Sequence, residues 1–169
     1  MTAGGRASVV IQAGAEHIWA IVTDVTRTGE WSPENTGGEW LDGATGPEVG
    51  ARFKGSNKRG RSRWSTTCRV IAADPNRQFA FATGRENKPE TIWRYVLEPT
   101  AGGTTVTESF ELVKPLGAVS NFITRVTTGV KDRQADLEQN VAESLARLKA
   151  IAEGGPAAGE EVRPQGLEP

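Results

Sequence analysis

A carboxylate, that of Glu108, interrupts the apolar face of a predicted β-strand. The run Thr104–Leu112 alternates in polarity, and its apolar side consists of Val106, Glu108, Phe110 and Leu112. A buried carboxylate is costly unless a partner compensates it. In a functional interpretation, Glu108 is a polar anchor for a ligand or a general base with a raised pKa, but the non-functional alternatives are favoured because a register read from one sequence is often wrong. The alternatives are a shifted strand register, a pairing with an arginine, or a wet position near the strand end.

Aromatic residues recur at two-residue spacing in the neighbouring predicted strands. Alternation directs them to one side of the sheet, where each either fills a core or lines a cavity. For a single inward aromatic residue, core filling is the more common role. The residues concerned are Trp64, Phe79, Phe81, Trp93, Tyr95 and Phe110.

Two tryptophans lie in a short polar connector, Trp31 in the stretch DVTRTGEWSPE and Trp40 after a glycine pair. Polar connectors rarely contain tryptophan unless its side chain is buried. In a structural interpretation, Trp31 packs a short helix against the end of the sheet, and Pro33 fixes the chain direction. In a functional interpretation, Trp31 is the lid of a cavity. The two overlap, and we favour the structural one.

The other reactive or charged groups indicate no metal or nucleophilic centre. The only histidine, His17, and the only cysteine, Cys68, lack partners at the spacing of a metal cluster or catalytic triad. The segment Arg52–Arg63 contains six basic residues and no acidic one, which suits phosphate binding or a solvated hairpin tip. Its turn residues, which include Gly55 and Gly60, favour the hairpin tip. No phosphate loop or dinucleotide fingerprint occurs, so we expect no cofactor.

The composition is typical of a globular protein with one core. The chain has 169 residues, of which 37% are hydrophobic and 24% charged, and its net charge is -1. This charge gives no support for binding to nucleic acids or anionic membranes. No apolar run reaches the ~18 residues of a membrane helix, and the N-terminus lacks a signal-peptide pattern. We expect a cytoplasmic protein without integral membrane association, as a monomer or weak dimer.

The first two thirds of the chain predict one strand, two short helices and a meander. Ala7–Gln12 is rich in β-branched residues and predicts a strand, and Gly14–Thr23 has apolar residues at helical spacing. Asp24–Trp31 predicts a second short helix, with Asp24 as its cap. From about residue 39 to Leu112, short runs of β-forming residues separated by glycines predict antiparallel strands.

The C-terminal part predicts helices. A first piece covers Val119–Val126, and a long amphipathic helix covers roughly Lys131–Glu153, with an apolar stripe of Leu137, Val141, Leu145, Leu148 and Ile151. Because the stripe and one face of a curved sheet both need cover, we expect the helix to lie across a sheet of six to seven strands, an α+β fold. Residues 154–169 contain few bulky apolar groups and are expected to be a disordered tail, so that residues 1–153 form a single domain.

From about Ala7 to Glu153, the chain resembles the SRPBCC superfamily, which includes START domains, the birch-pollen allergen and the polyketide cyclase/dehydrase-like proteins. The segments that carry the resemblance are Ala15–Asp24, Gly29–Pro33, Pro47–Phe53, Trp93–Pro99 and Gly103–Ser109. The resemblance implies a helix-grip fold with a cavity between the sheet and the C-terminal helix. It also implies an apolar ligand such as a lipid, a sterol or a polyketide, since most family members bind such molecules and a minority catalyse cyclisation or dehydration.

We therefore expect a binding or carrier protein for a small apolar molecule. The alternative is a cofactor-free cyclase or dehydrase, with Glu108 and Tyr95 as proton-transfer groups. Against this alternative, the sequence lacks an evident acid–base pair. A partner-binding module that uses the basic hairpin has weaker support. The expected ligand-binding residues are Trp31, Trp64, Phe79, Phe81, Trp93, Tyr95, Glu108, Phe110, Leu137 and Val141.

Overall fold

The computed structural model describes residues 3–113 and 133–154. Strands and helices account for most of these residues. The strands are β1 (Ala3–Ile11), β2 (Asn35–Trp40), β3 (Arg52–Arg59), β4 (Ser62–Asp74), β5 (Gln78–Arg85), β6 (Lys88–Thr100) and β7 (Gly103–Leu112). The helices are α1 (Ala15–Val22), the 3₁₀ helix Val25–Glu30 and α2 (Arg133–Ala152). The predicted helical piece Val119–Val126 and nearly all of the predicted tail lie outside the described residues.

The strands form one curled antiparallel sheet in the order β1-β7-β6-β5-β4-β3-β2. Strands β2 to β6 each pair with the next strand along the chain, which confirms the predicted meander, and β1 pairs with β7. The tight turns contain residues that tolerate a positive φ, such as Gly60 at 56° and Asn76 at 62°. The predicted α+β fold is confirmed, with seven strands.

Helix α2 packs against the sheet through its apolar stripe. Leu137, Val141, Leu145 and Leu148 are buried, as the helical spacing predicts. The helix approaches β1 closely at Gly5, where a Cβ atom would lie 2.6 Å from Cγ of Glu138. A side chain at Gly5 would therefore overlap the Glu138 side chain of α2 and the ring of Phe110.

The 3₁₀ helix lies against β2, and no predicted strand corresponds to β2. Asp24 caps this helix as expected, since its Oδ1 accepts a hydrogen bond from the Thr26 amide at 3.1 Å. Strand β2 has the sequence NTGGEW, and glycine has a low strand propensity. A Cβ atom at Gly38 would lie 2.8 Å from the carbonyl oxygen of Val25. The glycine that weakens the sequence signal is thus required for the close contact with the helix.

Candidate ligand-binding cavity

The inner face of the sheet and helix α2 enclose a cavity of about 320 Å³. This volume lies at the lower end of the range for small-molecule sites. Residues of α1, of the 3₁₀ helix and its following connector, of β2 to β7 and of α2 line it. The sequence-predicted residues in its lining are Trp31, Trp64, Phe79, Phe81, Trp93, Tyr95, Glu108 and Leu137.

Two predicted residues, Phe110 and Val141, are buried in the core and do not belong to this lining. Phe110 packs against Trp93 with 5.5 Å between the ring centroids. Its position on the inner face agrees with the predicted alternation. Because Phe110 stands behind an aromatic residue of the cavity wall, it supports the wall from the core side.

Aromatic rings in contact with one another form much of the wall. Phe81 lies 5.1 Å from Phe53 and 5.7 Å from Phe79, measured between ring centroids. Trp40 packs edge-on against Phe53 at 5.5 Å and is outside the cavity lining. Trp40 therefore has the structural role, whereas Trp31 is both buried in the core and part of the cavity wall.

A buried polar pair, Tyr95 and Glu108, faces the cavity. These residues are direct cross-strand neighbours in β6 and β7, and the Tyr95 hydroxyl donates a hydrogen bond to Oε1 of Glu108 at 2.9 Å. Only 3% of Glu108 is exposed to solvent. The predicted inward position of the carboxylate is thus correct, and its partner is a tyrosine hydroxyl.

Burial changes the acid–base properties of both residues. Removal from water raises the pKa of Glu108 to about 7, and the nearby hydroxyls of Tyr95 and Ser144 partly oppose this rise. Burial also raises the pKa of Tyr95 well above its usual range, and the charge of Glu108 adds to this effect. Glu108 therefore changes its protonation state close to neutral pH while Tyr95 stays a hydrogen-bond donor.

Two buried polar atoms in the cavity lining have no hydrogen-bond partner among the described residues. They are Oε2 of Glu108 and Nε1 of Trp31. The indole N–H is close enough to Tyr95 to oppose the rise in the pKa of its hydroxyl, but its position does not meet hydrogen-bond geometry. An unpaired buried polar atom costs about 1–3 kcal/mol. Trp31 and Glu108 thus present one donor and one titratable oxygen without partners.

Polar residues of α2 that were not predicted also line the cavity. Asn140 and Ser144 follow Leu137 and Val141 by three residues each, so they lie on the same helical stripe. Their helical spacing from Leu137 and Val141 would have identified them as cavity residues. They were not predicted because only apolar residues were assigned to the stripe. They place further hydrogen-bonding groups opposite the aromatic wall.

An ion-pair network joins three elements at the rim of the cavity. Arg59, at the end of β3, binds both carboxylate oxygens of Asp136 in α2, and it donates to Oε1 of Glu34 at 2.8 Å. Glu34 lies in the connector before β2 and lines the cavity. These residues are separated by 25 and 77 positions in the chain, so sequence spacing does not reveal the network.

The structure indicates no catalytic role for the remaining candidate residues. His17 is exposed, and burial raises the pKa of the Cys68 thiol to about 12, so that the thiol stays protonated in the cavity wall. Residues 3–113 and 133–154 contain no cluster of three side chains suited to metal binding. Within the same residues, no helix has the length and apolarity required to cross a membrane.

Comparison with known proteins relates this architecture to a family. The family model described as "Polyketide cyclase / dehydrase and lipid transport" matches residues 3–153. The chain belongs to this family. No curated protein matches the chain.

Solved structures of the same fold cover most of the chain. A Polyketide_cyc-like protein from Corynebacterium glutamicum is 31% identical, with 90% of this chain and 93% of that chain covered and a TM-score of 0.62. A protein from Mesorhizobium loti is 16% identical, with 88% and 95% covered and a TM-score of 0.63. The di-domain ARO/CYC protein StfQ from the steffimycin biosynthetic pathway is 13% identical, with 91% and 51% covered and a TM-score of 0.69. The last two similarities concern the fold alone.

Proposed function

We propose that the protein is a carrier that binds one small, mostly apolar molecule in this cavity, between the sheet and helix α2. The observation that supports this most is the combination of an aromatic wall with two unpartnered polar atoms, Trp31 Nε1 and Glu108 Oε2. Aromatic rings favour an apolar body, and isolated polar atoms favour a single polar group on it. A lipid, a sterol or a polyketide-like molecule fits this description.

The polar group of the ligand is expected to be an oxygen. The indole N–H of Trp31 can only donate, so its partner is an acceptor. Because Tyr95 donates to Oε1 of Glu108, the proton of the neutral acid resides on Oε2. An ionised Glu108 therefore accepts a hydrogen bond from a ligand hydroxyl, and a neutral Glu108 donates one to a ligand oxygen.

A cavity-filling variant with a matched control tests the binding. Thr66 lines the cavity, whereas its neighbour Thr67 is exposed on the other face of β4. Thr66→Trp should abolish saturable binding of the neutral fluorophore N-phenyl-naphthylamine, and Thr67→Trp should preserve it. The emission of the fluorophore is followed, with folding checked by circular dichroism. Undiminished binding in a folded Thr66→Trp variant would contradict the proposal.

A pair of probe molecules tests the polar anchor. Naphthol and naphthalene differ by one hydroxyl, and we expect naphthol to displace the fluorophore at about a tenfold lower concentration, because one good hydrogen bond is worth roughly 1.4 kcal/mol. Replacing Trp31 by Phe keeps an aromatic ring but removes the donor. In this variant the preference for naphthol should decrease, and an unchanged preference would exclude the indole as an anchor.

A second candidate function is a cyclase or dehydrase reaction in the same cavity. It is favoured by a carboxyl group with a pKa of about 7 that lies 2.9 Å from the Tyr95 hydroxyl, since such a group exchanges protons readily near neutral pH. Native mass spectrometry of protein from its own host separates a carrier from a dehydrase. A carrier should retain a ligand of unchanged mass on prolonged incubation, whereas a dehydrase should release a product lighter by one water.

A further inference from the structure

A second concavity lies on the outer face of the sheet, away from the ligand cavity. It has a volume of about 340 Å³ and spans β1, β7 and β6. Ser109 is at its centre, and the neighbours of Ser109 in the chain, Glu108 and Phe110, point into the core. We call this concavity the outer groove, and the residues used below are Gly4, Arg6, Ile92, Arg94, Ser109 and Glu111.

Strand register places two arginines on either side of the Ser109 hydroxyl. Arg6 of β1 and Arg94 of β6 are both direct cross-strand partners of Ser109. Neighbouring strands are about 4.8 Å apart, so the three side chains form a short row on one face. Neither arginine makes an ion pair with a carboxylate of the described residues. Arg94 is also partly buried, where an uncompensated charge is more costly than on an open surface.

The next row of the outer groove is open because of a glycine. Gly4 pairs with Glu111, which pairs in turn with Ile92. A Cβ atom at Gly4 would lie 2.4 Å from the carbonyl oxygen of Phe110, so no side chain fits there. The groove therefore has a cationic row at Arg6 and Arg94, and the neighbouring row has no side chain at Gly4 and the carboxylate of Glu111 at its centre.

We propose that the outer groove binds the phosphate group of a small phosphate monoester. Two guanidinium groups match the oxygens of a phosphate with paired N–H donors, and the Ser109 hydroxyl supplies a third donor between them. Glu111, in the neighbouring row of the same face, is placed to accept a hydrogen bond from a hydroxyl of the ester. This site is independent of the ligand cavity, since the sheet separates the two.

Titration of the labelled protein tests the site. Glycerol 3-phosphate and inorganic phosphate are added to ¹⁵N-labelled protein, and we expect saturable amide shifts at Arg6, Arg94 and Ser109. Arg94→Gln and Arg6→Gln should each weaken binding by about tenfold, because each removes charge-assisted hydrogen bonds. Arg77→Gln is the control, since Arg77 is exposed in the turn between β4 and β5 and has no ion pair with a described residue. Two separate variants keep the test valid if one of them fails to fold.

A vesicle arm distinguishes a soluble ester from a lipid headgroup. Co-sedimentation with vesicles that contain phosphatidic acid, a lipid phosphate monoester, would identify a headgroup as the source of the phosphate if it is lost in both variants. Saturation by glycerol 3-phosphate without co-sedimentation would identify a soluble ester, and either result supports the site. Shifts that stay linear in both phosphate titrations, or an equal effect of Arg77→Gln, would overturn it. Fluorophore binding in the ligand cavity should be unchanged in all three variants, whichever result is obtained.

Discussion

The buried carboxylate makes a specific contribution to the pH dependence of stability. In the folded protein the pKa of Glu108 is raised from 4.5 to about 7. As pH rises between these values, the unfolded chain has released the proton while the folded chain still holds it. The contribution of Glu108 to the free energy of unfolding is therefore fully present below the lower pKa, and it is lost as pH rises toward the higher pKa. Glu108→Gln removes this titration and keeps an oxygen that accepts from Tyr95.

The magnitude follows from the two pKa values. One pKa unit corresponds to about 1.4 kcal/mol, so the full window corresponds to about 3 kcal/mol. Between about pH 5 and about pH 8, the free energy of unfolding of the wild type should fall by about 2.5 kcal/mol relative to that of Glu108→Gln. Urea denaturation of both proteins at the two pH values measures this difference, and other titrating groups cancel because the two chains share them.

Glu111→Gln is the matched control for this experiment. Glu111 lies on the same strand, but it is exposed on the opposite face. Its variant should follow the wild type across the pH range. The reasoning would be refuted if the difference between wild type and Glu108→Gln were the same at both pH values within about 0.5 kcal/mol, since burial would then not change the protonation of Glu108.

Other predictions concern packing and the ends of the chain. Leu145→Ala should lower the free energy of unfolding by about 2–5 kcal/mol, since Leu145 is 2% exposed on α2; a loss below about 0.5 kcal/mol in urea would contradict its place in the core. Gly5→Val should cost about 1–3 kcal/mol because its side chain would overlap the buried ring of Phe110 and the Glu138 side chain, and an unchanged melting temperature would contradict this contact. Removal of residues 155–169 should leave the melting temperature unchanged, as their composition predicts, and a clear drop would show that they dock. The hairpin residues Lys58, Arg61 and Arg63 should support no sequence-selective nucleic-acid binding at physiological salt; gel shifts that disappear when they are neutralised would contradict this.

The inner face of the sheet could be read from the sequence because strands have a strict period of two. Alternation correctly placed Trp64, Phe79, Tyr95 and Glu108 on one side. A carboxylate on the apolar face of a strand indicates a special role, because burial of a carboxylate is costly. The apolar residues on both sides of Glu108 fix the face to which it points. The predicted antiparallel meander is also confirmed. It could be predicted because short turns with turn-forming residues connect strands that are neighbours in the sheet.

The parts that could not be predicted depend on contacts between distant residues. Strand β2 could not be predicted because its two glycines lower its strand propensity. One of them, Gly38, is needed for the close contact with Val25. The network of Arg59 with Glu34 and Asp136 joins three separate elements, so no local pattern contains it. The cavity itself is the space left between helix and sheet, and the side-chain volumes that define it combine only in the folded chain.

A crystal structure of the protein with naphthol bound tests the central claim most directly. We expect the ring system to lie against Phe79, Phe81 and Trp93, with the hydroxyl oxygen about 3 Å from Oε2 of Glu108 and from Nε1 of Trp31. A naphthol molecule bound only outside the cavity, or a cavity that stays free of it at saturating concentration, would contradict the proposal that this protein holds a small apolar ligand between sheet and helix.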